Sequence, residues 1–382
     1  MKLTPIKVKG KAAPKKTWKP PAVQPALPTK RQRDEDEGGG GNDGTVGTDS
    51  TNNPRRRRRY FKPKKPAAPV EQLPAEILER IILMSRNLNF LRSSLRIGYR
   101  FSSRVFLTEL LEAAFAPTWD MWFGYPRDVV LHHRKGVSDS ALVPGDPDFQ
   151  TAVIACKWAN TALILEAQQK WYRRNGGPGR LVEHLQQPQD KSRAELALAR
   201  WMSRGAAAAG ADDVVAGRFE RDWQSFRRSC VELFSSGDAI AAAHVRYTTH
   251  SREPQYMELH PLTRVPQRLL AAPFDWERAR TWYWLVRGSA GIGVRSGSWE
   301  STRIAYDRIL NLADKELAVV LLILLSQLRA FQDWPTFLVE QELGEIARQI
   351  EHSETLAGRK LWSYAGAVMG PVGDLRQVVH KF

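Results

Sequence analysis

The chain has 382 residues, 42% of them hydrophobic, enough for one or two domains with cores of ordinary size. Its formal net charge of +16 points, taken alone, toward nucleic acid or an anionic surface. The charge is concentrated, however: residues 1–69 hold 18 basic and six acidic side chains, a net of +12, which leaves only +4 for residues 70–382.

Residues 1–69 are rich in Pro, Lys, Gly, Asp, Ser and Thr, include "DEDEGGGGNDG", and show almost no apolar periodicity. Such a segment cannot bury enough surface to offset its ordering entropy, so a disordered basic tail is expected. Within it "RRRRRYFKPKK" packs Arg55, Arg56, Arg57, Arg58, Arg59, Lys62, Lys64 and Lys65 into eleven residues. That density fits a nuclear import signal or a nucleic-acid patch, and equally a solvated basic linker. Only Tyr60 and Phe61 are at hand for base stacking, little for a single-strand binder. The first 30 residues lack an apolar core segment, so no secretory signal is expected.

Folding patterns begin at "LPAEILERIILMSRNLNF", residues 73–90. Proline at a first helical position has no N–H to leave unpaired and a preset φ, and Glu76 suits the positive end of the helix dipole. Apolar residues at 73, 77, 78, 81, 82 and 84 make a stripe wide enough to be buried on more than one side. Asn87 and Asn89 are turn formers and should end this helix. "FSSRVFLTELLEAAF" supplies another, with Ser102 or Ser103 as cap and Val105, Phe106, Leu110, Leu111, Ala114 and Phe115 inward. Two or three short helices in so few residues cannot make an independent core, so this module requires a surface to pack against.

At these residues the chain resembles an F-box, of the type found in large families of filamentous-fungal proteins. The resemblance is carried by "LPAEI" (73–77), "SRNLN" (85–89), "SSLRIG" (93–98), "FSS" (101–103) and "EAAF" (112–115), in order and at the right separations. The chain departs from the family's pattern at Phe90, Leu91 and Leu95, where proline is frequent. The resemblance implies a mainly α fold: short F-box helices over 70–118, then a helical region over 119–382 that selects a target. It also implies docking on a Skp-type adaptor of a cullin-RING ubiquitin ligase. Leu73, Pro74, Ile77, Leu78, Ile81 and Ile82 would form the docking face. Stretches 144–174 and 261–288 look similar, more loosely, to the downstream region of the same fungal group.

Further along, "FERDWQSFRRSCVELF" sets Phe219, Trp223, Phe226, Cys230 and Phe234 on one helical stripe. "HVRYTTHS" (244–251) and "YMELHPL" (256–262) are the best strand candidates. "DWERARTWYWLVRG" predicts a helix capped by Asp275 and stopped at Gly288, with Trp276, Ala279, Trp282, Tyr283 and Val286 along one side. Helices are also predicted from Asp314 and Asp333, the second with Pro335 in its first turn. The apolar run "LAVVLLILL" (317–325) has nine residues where a membrane span needs ~20, so it predicts a buried helix and no membrane partner. Twelve of the thirteen tryptophans lie between 119 and 362 at helical spacing, which favours packing over a ligand groove.

Catalytic signatures are thin. "GSAGIGVRSG" (288–297) follows a helix instead of a strand and lacks the P-loop Lys-Ser/Thr, so it predicts a turn. His132, His133, His244, His250 and His260 lack metal-ligand spacing, and Cys156 and Cys230 are 74 residues apart with no His or Cys near either. A reducing compartment, no metal and no cofactor are therefore expected. Two functions remain. One is a non-catalytic F-box receptor in nucleus or cytoplasm that presents an unknown protein for ubiquitination. The other is a nuclear nucleic-acid-binding protein that uses the basic tail.

Overall fold

The computed structural model describes residues 68–126, 129, 144–185, 187–206, 213–236, 256–271, 273–288 and 299–369. The expected disordered tail and its basic run lie outside them, as do "HVRYTTHS", His132, His133 and the glycine-rich stretch beyond Gly288. The described residues belong to one compact unit, 63–382. Among them are fourteen α-helices and no strand, so the fold is mainly α. No described helix is long and apolar enough to cross a membrane.

A short 3-10 turn, Pro69–Gln72, leads into α1 (Ala75–Ser85), with Pro74 at the N-cap. Arg86 ends α1 in the left-handed region (φ 51°), and its N–H closes on the Ile82 carbonyl at 3.1 Å. Asn87 then accepts from the Asn89 N–H (3.0 Å), the local turn that its side chain favours. α2 (Asn89–Ser93) and α3 (Leu95–Arg100) follow directly, and Ser94 between them caps α3 through the Arg96 N–H. Gly98 is required here by close approach: a Cβ would meet the Leu91 carbonyl oxygen at 2.9 Å. Of the two serines proposed as cap, Ser103 opens α4 (Arg104–Trp122) by accepting from the Phe106 N–H.

α4 runs unbroken through Pro117 and past position 118, so the boundary expected at 118/119 falls inside a helix. The physical reason is a shared core. Phe106, Leu110, Leu111, Ala114 and Phe115 are buried as expected and belong to the same cluster as helices up to residue 369. Val105 is corrected: it is exposed, in the first turn before the helix enters that core.

α5 (Pro147–Ile154) is capped by Asp146 and α6 (Thr161–Asn175) by Asn160. α7 (Leu181–His184), α8 (Pro188–Ala206) and α9 (Val214–Ser236) complete the first half. Phe219, Trp223, Phe226 and Cys230 on α9 are buried, with Phe234 partly so. α10 (Trp276–Arg287) carries the expected Asp275 cap, which accepts from the Arg278 N–H at 2.7 Å. Its end at Gly288 is set by packing and not by a left-handed residue, because φ is −77° and a Cβ would sit 2.9 Å from Leu259. α11 (Trp299–Leu310) precedes α12 (Lys315–Gln327), which Asp314 caps. Every residue of α12 from Leu317 to Ser326 is buried, and α9, α10 and α14 (Leu356–Met369) pack around it. α13 (Thr336–His352) starts after Pro335 and lies against α14.

Eight described tryptophans are buried, among them Trp119, Trp171 and Trp201, which meet edge-on or tilted around Phe123. They are packing residues. The strand expected over Tyr256–Leu262 is not one. Apart from a single bridge to Pro126, its amides pair with the end of α10 and with Tyr125: Tyr256 N–H with the Arg287 carbonyl, Leu259 N–H with that of Gly288, and Met257 N–H with that of Tyr125. Tyr256 to His260 are buried one after another, and the backbone partner is a helix terminus instead of a neighbouring strand.

Candidate protein-docking surface

α1 carries the residues that the sequence singles out, and its geometry divides them. Successive helical residues lie 100° apart, so 78 and 82 share one side while 77, 81 and 84 share another. Leu78 and Ile82 are completely buried in the chain's own core. Ile77 is 43% exposed, Ile81 37% and Met84 84%, and Pro74 stands exposed at the helix entry. Leu73 is partly buried against the core, and its carbonyl accepts from Arg100 Nη1 at 2.9 Å. The broad stripe is thus two stripes, one anchoring the helix and one open. Arg55 to Arg59, Lys62, Lys64 and Lys65 lie outside the described residues.

The other motif residues have local structural tasks. Glu71 accepts from the Ala68 N–H (3.1 Å) and bonds the Ser94 hydroxyl, which ties the entry of α1 to the start of α3. Glu112, in "EAAF", is buried and held by Arg174 (2.6 Å) and Lys170 (3.2 Å) of α6, so the module is riveted to the helices that follow. Glu79 on α1 titrates above its ordinary value, first through burial, then through the hydrogen bond and charge of Glu109, with Glu76 adding to it. Leu95 and Tyr99, which the sequence does not single out for docking, are also exposed, as is Val105, which was expected inward. The signal for Leu95 and Tyr99 is present in the sequence: they are four residues apart, each followed by an arginine, on the side of α3 away from the buried Ile97.

Two polar sites stand elsewhere in the fold. The larger is buried and joins α9, α10, α6 and the 256–260 segment. Arg287 Nη1 meets Glu258 Oε1 at 2.7 Å, its Nε meets Asp222 Oδ2 at 3.1 Å, and Gln168 Nε2 donates to Glu258 Oε2 at 3.0 Å. Arg218 bonds the Tyr256 hydroxyl and the Trp201 carbonyl and stacks on both rings. Burial opposes the charge on Arg287, yet Glu258 and Asp222 outweigh it and raise its pKa, whereas burial prevails at Arg218 and lowers it. Two cations face two carboxylates inside the protein, which is the pattern of a structural lock.

The second is a cleft of about 370 Å³ between the "SRNLN" turn and α5, bordered by Arg86, Asn87, Arg92, Asp146, Asp148 and Phe149. Arg86 and Asp146 pair across it at 3.4 Å. Nearby, burial pushes the Cys156 thiol up against the opposing pull of Arg92 and Arg268, so this cysteine is not activated. His260 is buried, with Nδ1 accepting from the Leu262 N–H. Among the described residues no group of three His, Cys, Asp or Glu is placed to hold a metal. Compared with known proteins, the chain matches no family model, no curated protein and no solved structure.

Proposed function

We propose that residues 70–118 are an F-box-type docking module that binds a Skp-type adaptor of a cullin-RING ubiquitin ligase through the open side of α1. Helices after position 118 receive the protein to be ubiquitinated, and the chain contributes no chemistry of its own. The observation that carries this reading is the open stripe of Pro74, Ile77, Ile81 and Met84, located on the residues that resemble the family. A helix already anchored through Leu78 and Ile82 still carries three large aliphatics on its outer side whose uncovered surface folding does not use. Burying them against a partner contributes on the order of 1 kcal/mol or more each, enough to form the centre of an interface. Arg55 to Lys65 serve as an import signal in this reading, giving nuclear and cytoplasmic pools.

The test is capture of purified Skp-type adaptor by the intact protein and by Ile77→Asp/Ile81→Asp. Both substitutions are on the open side and leave Leu78 and Ile82 in place, so circular dichroism should be unchanged. Capture by the intact protein and its loss in the variant are expected. Equal capture by both, or none by the intact protein, refutes the proposal.

A further inference from the structure

Residues 86–108 contain Arg86, Arg92, Arg96, Arg100 and Arg104 and no acidic residue, and all five arginines are exposed. Arg86 and Arg104 have carboxylate partners, Asp146 and Glu166. The others do not. Arg92 bonds the Cys156 sulfur (3.7 Å), Arg100 bonds the Leu73 carbonyl, and the Arg96 side chain has no partner among the described residues. Among the described residues, Arg96 and Arg100 therefore stand one turn apart on α3 without a counter-charge, while Arg92 is turned toward Cys156. Between them are apolar groups that water should not keep: Leu95 is 93% exposed and Tyr99 75%, one turn apart on α3. Across the described residues, seven of the thirteen large hydrophobics left exposed fall between Val70 and Val105. The exposure is thus local to this module and not a general property of the surface.

We infer that the outer face of α3, with the first turn of α4, docks an acidic protein segment that also carries aliphatic side chains. Its carboxylates meet Arg96 and Arg100, and its aliphatic groups cover Leu95 and Tyr99. Each alternative lacks half of this complementarity. A nucleic acid supplies the negative charge, but Leu95 and Val105 gain nothing from phosphates and Tyr99 alone is available for stacking. A lipid surface accepts apolar groups, but α3 is only about 9 Å long, too short to lie in a headgroup layer. This surface uses residues distinct from the open side of α1, so it does not depend on the adaptor reading.

The experiment is fluorescence anisotropy with a labelled peptide of repeated Glu-Leu-Glu-Asp units, titrated with the intact protein, Arg96→Glu, Leu95→Ser/Tyr99→Ser, and Arg200→Glu. Arg200 is an exposed arginine on α8, and its reversal changes net charge equally. Arg96→Glu and the double variant should each weaken binding about fivefold or more, Arg200→Glu by less than about twofold. Raising ionic strength from ~0.05 to ~0.3 M should weaken the intact protein and flatten the difference from Arg96→Glu. Ile77→Asp/Ile81→Asp should bind the peptide as the intact protein does, which separates this surface from adaptor capture. Absence of binding by the intact protein, equal loss in Arg200→Glu, or no loss in Arg96→Glu overturns the inference. So does a DNA duplex or an anionic vesicle that binds more tightly than the peptide with the same dependence on Arg96.

Discussion

The division of α1 into an anchoring side and an open side is open to direct measurement by truncating neighbouring residues. Leu78 is completely buried, so Leu78→Ala removes its transfer free energy and leaves an enclosed cavity, a cost of about 2–5 kcal/mol. Ile77, one residue away, keeps a little over half of its surface covered and opens to solvent. Ile77→Ala therefore forfeits roughly half of the ~1.5–3 kcal/mol of a fully buried aliphatic and creates no closed void, a cost of about 1 kcal/mol. Urea unfolding followed by tryptophan fluorescence is suited to the comparison, because buried tryptophans such as Trp119 and Trp284 report on the core that α1 joins. The expected result is a large fall in midpoint for Leu78→Ala, a small one for Ile77→Ala, and unchanged slopes for both. Adaptor capture should show the opposite order once both proteins are compared under conditions where they are folded. Similar destabilisation by the two substitutions, or the reverse order, refutes the assignment of sides and with it the docking stripe.

Three further outcomes are expected. Glu79 is raised by burial and by the facing Glu109, and Glu76 adds to this, while Lys170 lies 3.8 Å from Glu109. A carboxylate raised on folding binds its proton more tightly in the native state, so its unfavourable contribution is full above the folded pKa and vanishes below the unfolded one. Glu79→Gln should raise the melting temperature at pH 7, with the gain shrinking toward pH 4; a gain that does not depend on pH is the contrary result. At the buried lock, Arg287→Met leaves Glu258 charged and enclosed and should cost about 3–5 kcal/mol. Adding Glu258→Met should recover part of that loss in a double-mutant cycle, and strict additivity would show that the two do not act as a pair. Gly288→Ala should cost about 1–3 kcal/mol in thermal unfolding, since its Cβ would press on the buried Leu259; a neutral effect would contradict the close packing.

Much of the helical framework was legible because its signals are local. Asp275, Asp314 and Ser103 cap the helices that their sequences announce, and the apolar run at 317–325 is the buried centre of the bundle. What was not legible depends on partners far along the chain. The 256–262 segment is a strand candidate by sequence, yet its amides close on carbonyls near 125 and 287. The buried lock draws on residues 168, 218, 222, 258 and 287, a set that no spacing rule links. α8 and α14 carry no comparably local signal, and neither does the continuity of α4 across 118/119. Helix α4 has no break there, and the residues on either side of that position share one core that only the folded chain brings together.

The stripe on α1 is divided by contacts that its own sequence does not encode. Leu73, Ile77, Leu78, Ile81 and Ile82 are chemically near-equivalent, so composition and periodicity describe a single broad apolar band. Which members face inward is decided by the shared core, which takes in Leu78 and Ile82 from one side of α1 and leaves the other open. The expectation that so short a module needs a surface to pack against is met within the chain itself for Leu78 and Ile82. Ile77, Ile81 and Met84 are not needed for that anchoring. A partner is therefore required to explain only the open side, and substitutions confined to it separate docking from folding in a way that substitutions across the whole stripe cannot.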